Sequence, residues 1–207
     1  IAYLFSFIPI IFHKTTNAIL NETLPISVVV CAKNEVSNLN KLIPLLLDQE
    51  YKSFELVLIN DGSNDETLEV MTRFQKQNSK IKIVNVKNNE AFWANKKYAL
   101  TLGIKAATNE HLLFTDADCI PSSKKWIQEM SSHFSESKTI ILGYGAYKTK
   151  KNSFVNLMIR FETLIAAIQY FSYAKLGSPY MAVGRNLAYT KSEFFREGVS
   201  SCATNCR

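Results

Sequence analysis

ISVVVCAKNEVSNLNKLIPLLLDQEYKSFELVLINDGSNDE, residues 26–66, decides the architecture. It opens on Ile26 to Ala32, a short apolar run rich in β-branched residues, the composition of a strand buried on both faces. Val36, Leu39, Ile43, Leu46 and Leu47 then recur at helical spacing. Phe54 to Ile59 reads as a second strand, closed by the turn formers Asn60-Asp61-Gly62-Ser63. Ser63-Asn64-Asp65-Glu66 has the form of a capping box, with Ser63 capping the helix that Leu68, Met71 and Phe74 continue. A strand–helix–strand–helix order predicts a mostly parallel sheet with helices on both faces. In such sheets ligands bind at the carboxyl ends of the strands.

Outward from this stretch the alternation continues. Ile81 to Val86, His111 to Thr115 and Thr139 to Gly143 read as strands, and Met181 to Tyr189 as a last one. Lys96 to Ala107 and Ser123 to Phe134 read as helices. Phe154 to Phe171 is an amphipathic helix with Phe154, Leu157, Met158, Phe161, Leu164, Ile165 and Ile168 on one face. No internal repeat or low-complexity stretch interrupts the series. Upstream, Thr15 to Pro25 is a polar linker. The opening Ile1 to Phe12 is almost wholly apolar and is followed by His13 and Lys14. Twelve such residues are too few to cross a bilayer, which takes about 20. Two readings compete, the end of a transmembrane helix or a short core element. The start at Ile1 rather than Met favours the first, and the basic residues after it would put the following domain in the cytoplasm.

The chain has 207 residues, 47% of them hydrophobic and 20% charged, with a net charge of +6 and a pI of about 9.1. One α/β domain with a full core fits that length. A basic balance suits an anionic partner, and the absence of a zinc finger, basic helix or RNA-binding signature argues against nucleic acid. Four cysteines, Cys31, Cys119, Cys202 and Cys206, show neither paired zinc spacing nor a secreted disulfide framework, so a reducing compartment is expected. His13, His111 and His133 lack metal-ligand spacing, and Trp93 and Trp126 are read as core.

Five places carry candidate chemistry. Asp61 follows the second strand, where its carboxylate would face a ligand crevice; the alternative is a plain strand-to-helix turn. Asp116-Ala117-Asp118 follows the fourth strand, and two carboxylates so spaced can share a hard divalent cation, Mn²⁺ or Mg²⁺, which leaves positions for phosphate oxygens. The loop Cys31-Ala32-Lys33-Asn34-Glu35 either holds a nucleoside through Ala32, Asn34 and Glu35 or uses Asn34 to cap the next helix. Lys96, at a helix start, either neutralises phosphate or is merely solvated. Gly184-Arg185-Asn186 is unexpected within an apolar strand, and Arg185 would face a ligand or an exposed edge.

ISVVVCAKNE, ELVLINDGSNDET, KKYALTLGIKAA and HLLFTDADCIPSSKKW, in that order, resemble the family-2 glycosyltransferases, over roughly Ile26 to Arg196. The resemblance implies an α/β fold of the GT-A type, Rossmann-like with a mostly parallel sheet, and a nucleotide-sugar donor, by default a uridine diphosphate sugar. It implies that Asp61 contacts the base, that Asp116 and Asp118 hold the metal and diphosphate, and that Lys96 matches the family's Gly-Lys lysine, with Asn95 in place of glycine. It further implies inverting transfer to a glycan, lipid or other acceptor by a membrane-anchored enzyme. The expected layout is a partial transmembrane segment at 1–14, a linker at 15–25, the donor-binding domain at 26–197 and an atypical tail at 198–207. No carboxylate follows Glu197, so the family's catalytic base is expected to lie outside this sequence. A nucleotidyltransferase and a non-catalytic nucleotide-binding fragment are the alternatives. The first would carry a glycine- and cation-rich loop after its first strand, and CAKNEV is not that loop.

Overall fold

A computed structural model of the chain describes residues 24–86 and 96–196. The apolar opening with His13, the linker up to residue 23, Trp93, Asn95 and the tail with Cys202 and Cys206 lie outside them. The described residues form two compact units, one of residues 24–141 and 187–196, the other Leu142–Asn186.

The first unit is built on a six-stranded sheet. Its strands are β1 (Ile26–Ala32), β2 (Phe54–Asp61), β3 (Ile81–Val86), β4 (His111–Asp116), β5 (Ile140–Leu142, whose last residue opens the second unit) and β6 (Leu187–Thr190). The spatial order is β3-β2-β1-β4-β6-β5. Strands β1 to β4 are mutually parallel and β6 runs antiparallel to β4. The chain winds outward from β1 to β3 and then crosses to the other side of β1, so the order reverses between β1 and β4. A crevice opens at such a reversal because the loops after the two strands depart in opposite directions.

Alternation along β1 sorts its side chains into two cores. Ile26, Val28, Val30 and Ala32 pack with Leu39, Leu42, Ile43 and Leu46 of α1 (Val36–Leu47), Val70 and Met71 of α2 (Thr67–Gln77) and Trp126. Val29 points the other way, with Val57 and Ile59, onto Ala99 and Ile104 of α3 (Lys96–Ala106), where Phe194 and Phe195 of the helical residues 191–196 join them. Gly103 lets α3 lie against the sheet. A Cβ there would sit 2.2 Å from Cδ1 and 2.7 Å from Cγ1 of Ile59. Ile59 is fully buried and has nowhere to move.

The amino ends of the strands are tied by Glu55. Its carboxylate accepts from the Ser27 hydroxyl (2.6 Å) and from the backbone N–H and hydroxyl of Thr108, with Lys82 at 3.7 Å. Burial alone would raise the Glu55 pKa, but these hydrogen bonds outweigh it and hold the carboxyl below its usual range.

Several sequence expectations need correction. β2 runs two residues past Ile59, because Asn60 and Asp61 keep their register with Asn85 and Val86 and the Asn60 amide donates to Asn85 Oδ1 (2.8 Å). The helix expected over Ser123 to Phe134 shrinks to α4 (Trp126–Ser131). Ser123 instead makes a turn, its hydroxyl taking the Lys125 N–H, while the Ser131 and Ser132 hydroxyls donate to carbonyls of the last turn. The strand expected over Met181 to Tyr189 is confined to β6, preceded by a 3₁₀ turn at Gly184–Asn186. Asn186 spends its groups elsewhere: its carbonyl takes the Gly143 N–H and its amide donates to the Tyr144 carbonyl. Arg185 therefore sits in a turn and not in a strand. In the second unit, α5 (Phe154–Lys175) starts at Ser153, whose hydroxyl accepts from the Asn156 N–H, and stops at Gly177 with φ +78°.

Two outcomes follow from this packing. Gly103→Ala should lose about 1–2 kcal/mol in urea denaturation despite alanine's better helix propensity, because overpacking costs more. Adding Ile59→Val, which deletes the Cδ1 atom, should recover part of the loss; additive losses would show that the two sites do not touch. Separately, a carboxyl whose folded pKa is depressed stabilises the fold above its unfolded pKa and loses that contribution as pH falls. Glu55→Gln should thus cost about 1–3 kcal/mol at pH 7. The gap to the parent should close as the pH drops through and below the ordinary glutamate value of 4.5. A gap independent of pH would mean that shape, not charge, ties the strand ends.

Candidate functional site

Two left-handed residues shape the rim of the sheet's carboxyl end. Asn34 (φ +58°) follows β1 and Gly62 (φ +59°) follows β2. Asparagine and glycine are the residues that adopt this conformation at least cost. The two loops are laced together. The Asn34 N–H donates to Ser63 Oγ (3.0 Å), the Asn64 N–H to Asn34 Oδ1 (2.9 Å), and the Glu35 N–H to the buried Thr67 Oγ1 (2.9 Å). Ser63 is therefore not a helix cap. It holds the β1 loop, and Asp65 supplies the bonds at the start of α2 through the N–H and hydroxyl of Thr67. Asn34 does not cap α1 either; its side chain reaches across to the β2 loop.

Of the expected site residues, Ala32 is in the core and offers the rim no side chain. Glu35 is half-buried, with Oε2 taking the Asn38 amide (2.6 Å). Asp61 is only 8% exposed at the end of β2. Asp116 ends β4 directly opposite Cys31 of β1, so it stands at the reversal point of the strand order. The Lys96 ammonium reaches from the start of α3 to Asp116 Oδ1 at 2.8 Å. That hydrogen bond, with the charges of Asp116, Cys31 and Asp118, raises the Lys96 pKa against the effect of burial. Both partners are more than a third exposed, so the pair contributes no more than about 1 kcal/mol and can be exchanged for another partner. Arg185 belongs to the second unit, where its guanidinium lies over the Tyr147 ring at 4.7 Å and donates to the Tyr147 hydroxyl.

Carboxylate oxygens of Asp116 and Asp118 and the Cys119 Sγ all lie within 4.8 Å of one another. Two hard oxygen donors at this spacing suit one Mg²⁺ or Mn²⁺ ion with further positions left for water or phosphate. Sequence reasoning gives Cys119 no site role, and its place directly after Asp118 is the signal that points to it. Burial, then the Asp118 and Asp116 charges, pushes its thiol up to about 11. Cys31 reports on the same field: burial, then the Asp61 carboxylate, raises its thiol to about 11, with Lys96 opposing and Asp116 adding. Asp61, Lys96 and Asp116 thus all act electrostatically on one atom at the end of β1.

Residues 27–193 match the family described as Glycosyl transferase family 2. An uncharacterised glycosyltransferase of Haemophilus influenzae is 28% identical over 145 residues, covering 70% of this chain and 41% of that protein. The 4,4'-diaponeurosporenoate glycosyltransferase of Staphylococcus haemolyticus is 25% identical over 177 residues, covering 83% and 46%. The chain thus spans less than half the length of these relatives. Among solved structures, the mannosyltransferase PcManGT of Pyrobaculum calidifontis, in complex with GDP-Man and Mn²⁺, superposes with a TM-score of 0.67. It is 15% identical and covers 95% of this chain and 55% of its own, a likeness of fold.

If the carboxylates surround Cys31 as described, its thiol is a built-in probe of them. Peptide-resolved alkylation should show Cys31 reacting slowly at pH 7.5, with its rate climbing toward pH 11. Asp61→Asn should lower the apparent pKa and raise the neutral-pH rate. An unchanged profile would mean that Asp61 is screened from β1.

Proposed function

The chain belongs to glycosyl transferase family 2, and from that premise we propose that the carboxyl end of its sheet binds a nucleoside-diphosphate sugar. The whole protein would then transfer the sugar, with inversion and with a divalent cation, Mn²⁺ or Mg²⁺, to an acceptor hydroxyl on a glycan, lipid or other molecule. The observation that supports this most is the meeting of Asp116, Asp118 and Lys96 at the reversal point between β1 and β4. This gives two oxygen donors for a cation and one ammonium for a phosphate within a few ångströms.

In this reading Asp61, fixed at the end of β2, accepts a hydrogen bond from the base of the nucleoside, and uridine is the default base. The laced loops carrying Asn34 and Glu35 hold the base and ribose in place without rearranging. Asp116 and Asp118 hold the cation. When bound, the cation supplies positive charge at the diphosphate oxygens as the leaving group departs. Lys96 releases Asp116 Oδ1 when the donor enters and turns its ammonium to a phosphate oxygen, so one ion pair replaces another. Neither Asp116 nor Asp118 is free to serve as base toward the acceptor, and the deprotonating carboxylate is assigned outside this cluster. The domain assignment of residues 26–197 as the donor-binding part and the role of Arg185 toward donor or acceptor belong to the same reading. So does a place for the whole protein at the cytoplasmic face of a membrane, supported by the apolar run Ile1 to Phe12 followed by His13 and Lys14.

Calorimetry with UDP and GDP, each with and without Mn²⁺, tests it. The parent should bind a nucleotide more tightly with metal. Asp118→Asn should lose that gain, by tenfold or more, while leaving the metal-free affinity and the melting temperature nearly unchanged. Asp61→Ala should weaken binding with or without metal. Nucleotide affinity that ignores metal in the parent, or an Asp118→Asn chain that only melts earlier, would remove the cation site from this account.

A further inference from the structure

Helix α5 carries a face that points to solvent. Phe154, Leu157, Met158, Phe161, Leu164 and Ile165 are all exposed, Phe154 by 74% and Phe161 by 57%. At 100° per residue their spacing gathers them into a stripe roughly 120° wide. Arg160 and Glu162 fall about 100° from its centre, so no charge interrupts the stripe; Val155 and Ile159, exposed as well, lie outside it. A contiguous apolar face of this size left in water marks a docking surface.

The surrounding charge indicates what docks there. Lys148, Lys150 and Lys151 precede the helix, Arg160 lies within it and Lys175 ends it, against the single carboxylate of Glu162. Lys150, Lys151 and Arg160 line a cleft of about 340 Å³ whose wall also includes Phe154 and Leu157. Cations beside apolar side chains are complementary to anionic headgroups over acyl chains. A second copy of the chain is a poorer occupant, because a symmetric contact would bring the same lysines together. By length and composition α5 also meets the requirement for a membrane span, with a mean hydropathy of 1.2 in its most apolar window, but Arg160 and Glu162 within it favour a flat seat over a span. Its uncharged run Thr163–Ala174 is 12 residues long, against the about 20 apolar residues of a typical span.

We propose that the apolar stripe of α5, with the lysines ahead of it, docks the protein flat onto an anionic lipid surface. The stripe enters the headgroup boundary while Lys148, Lys150 and Lys151 pair with lipid phosphates. The proposal rests on the second unit alone and stands whether or not the donor site is as described.

The test uses the full chain carrying Phe161→Trp and vesicles of phosphatidylcholine, with or without phosphatidylglycerol, whose acyl chains are brominated near the headgroup or near the tip. The added tryptophan should be quenched beyond the signal of Trp93 and Trp126, more strongly when phosphatidylglycerol is present than on phosphatidylcholine alone, and more by the shallow bromines. Lys150→Glu with Lys151→Glu should lower partitioning onto the anionic vesicles roughly 30-fold without changing the circular dichroism spectrum. Raising the salt concentration should weaken binding of the parent in the same direction. No added quenching, equal quenching on neutral vesicles, or stronger quenching by the deep bromines would overturn the proposal. So would lipid-free self-association that Phe161→Glu abolishes, which would assign the stripe to a second copy.

Discussion

Strand β1 is hydrogen-bonded along both edges, to β2 from Ile26 to Ala32 and to β4 from Ile26 to Cys31. Everything at the rim depends on that double pairing. All three strands run the same way, so they end side by side, and Asp61 and Asp116 arrive on either side of the end of β1 through ladder geometry. A parallel sheet cannot spread such groups apart without losing register. Its buried apolar faces specify that register, because a one-residue slip would turn Val28 and Val30 out of their core. The crowding of negative charge is therefore a consequence of the fold. Lys96 answers it locally with an exposed, exchangeable ion pair.

The opposite end of the same strands is finished differently. Ser27, Glu55 and Thr108 come from β1, β2 and the segment before β4, and close a small network with several donors per carboxylate. One end of the sheet satisfies its polar groups internally and the other leaves carboxylates half-open. The difference in chemistry between the two ends matches the rule that open parallel sheets bind at their carboxyl edge.

Much of this was legible in the residues. The β-branched runs and their alternation with helical spacing mark β1 to β4 and α1 to α3, because burial on both faces leaves a local compositional trace. Asp61, Asp116 and Lys96 could be picked out because each stands at an element end. What local pattern could not show is partnership across long separations. Ser63 has the form of a cap but serves Asn34, 29 positions away, and Thr67 serves Glu35, 32 positions away. The Gly184–Asn186 turn likewise depends on bonds to Gly143 and Tyr144, which a strand-like composition conceals. Periodicity showed which residues of α5 share a face. It could not show that the face is exposed, since spacing is the same whether a stripe meets protein, lipid or water.

The second unit is bounded by Leu142 and Asn186. The Gly143 N–H donates to the Asn186 carbonyl at 2.9 Å, which ties the two ends of this segment together, and a Cβ on Gly143 would have to displace the Asn186 side chain. The cost of closing a loop rises only with the logarithm of its length, by about 0.6 kcal/mol per doubling. Insertions and deletions between these two residues therefore weigh little on the strands that carry the acidic rim. The segment between them can differ in length and surface at little cost to the sheet, so long as the bond between its two ends is kept.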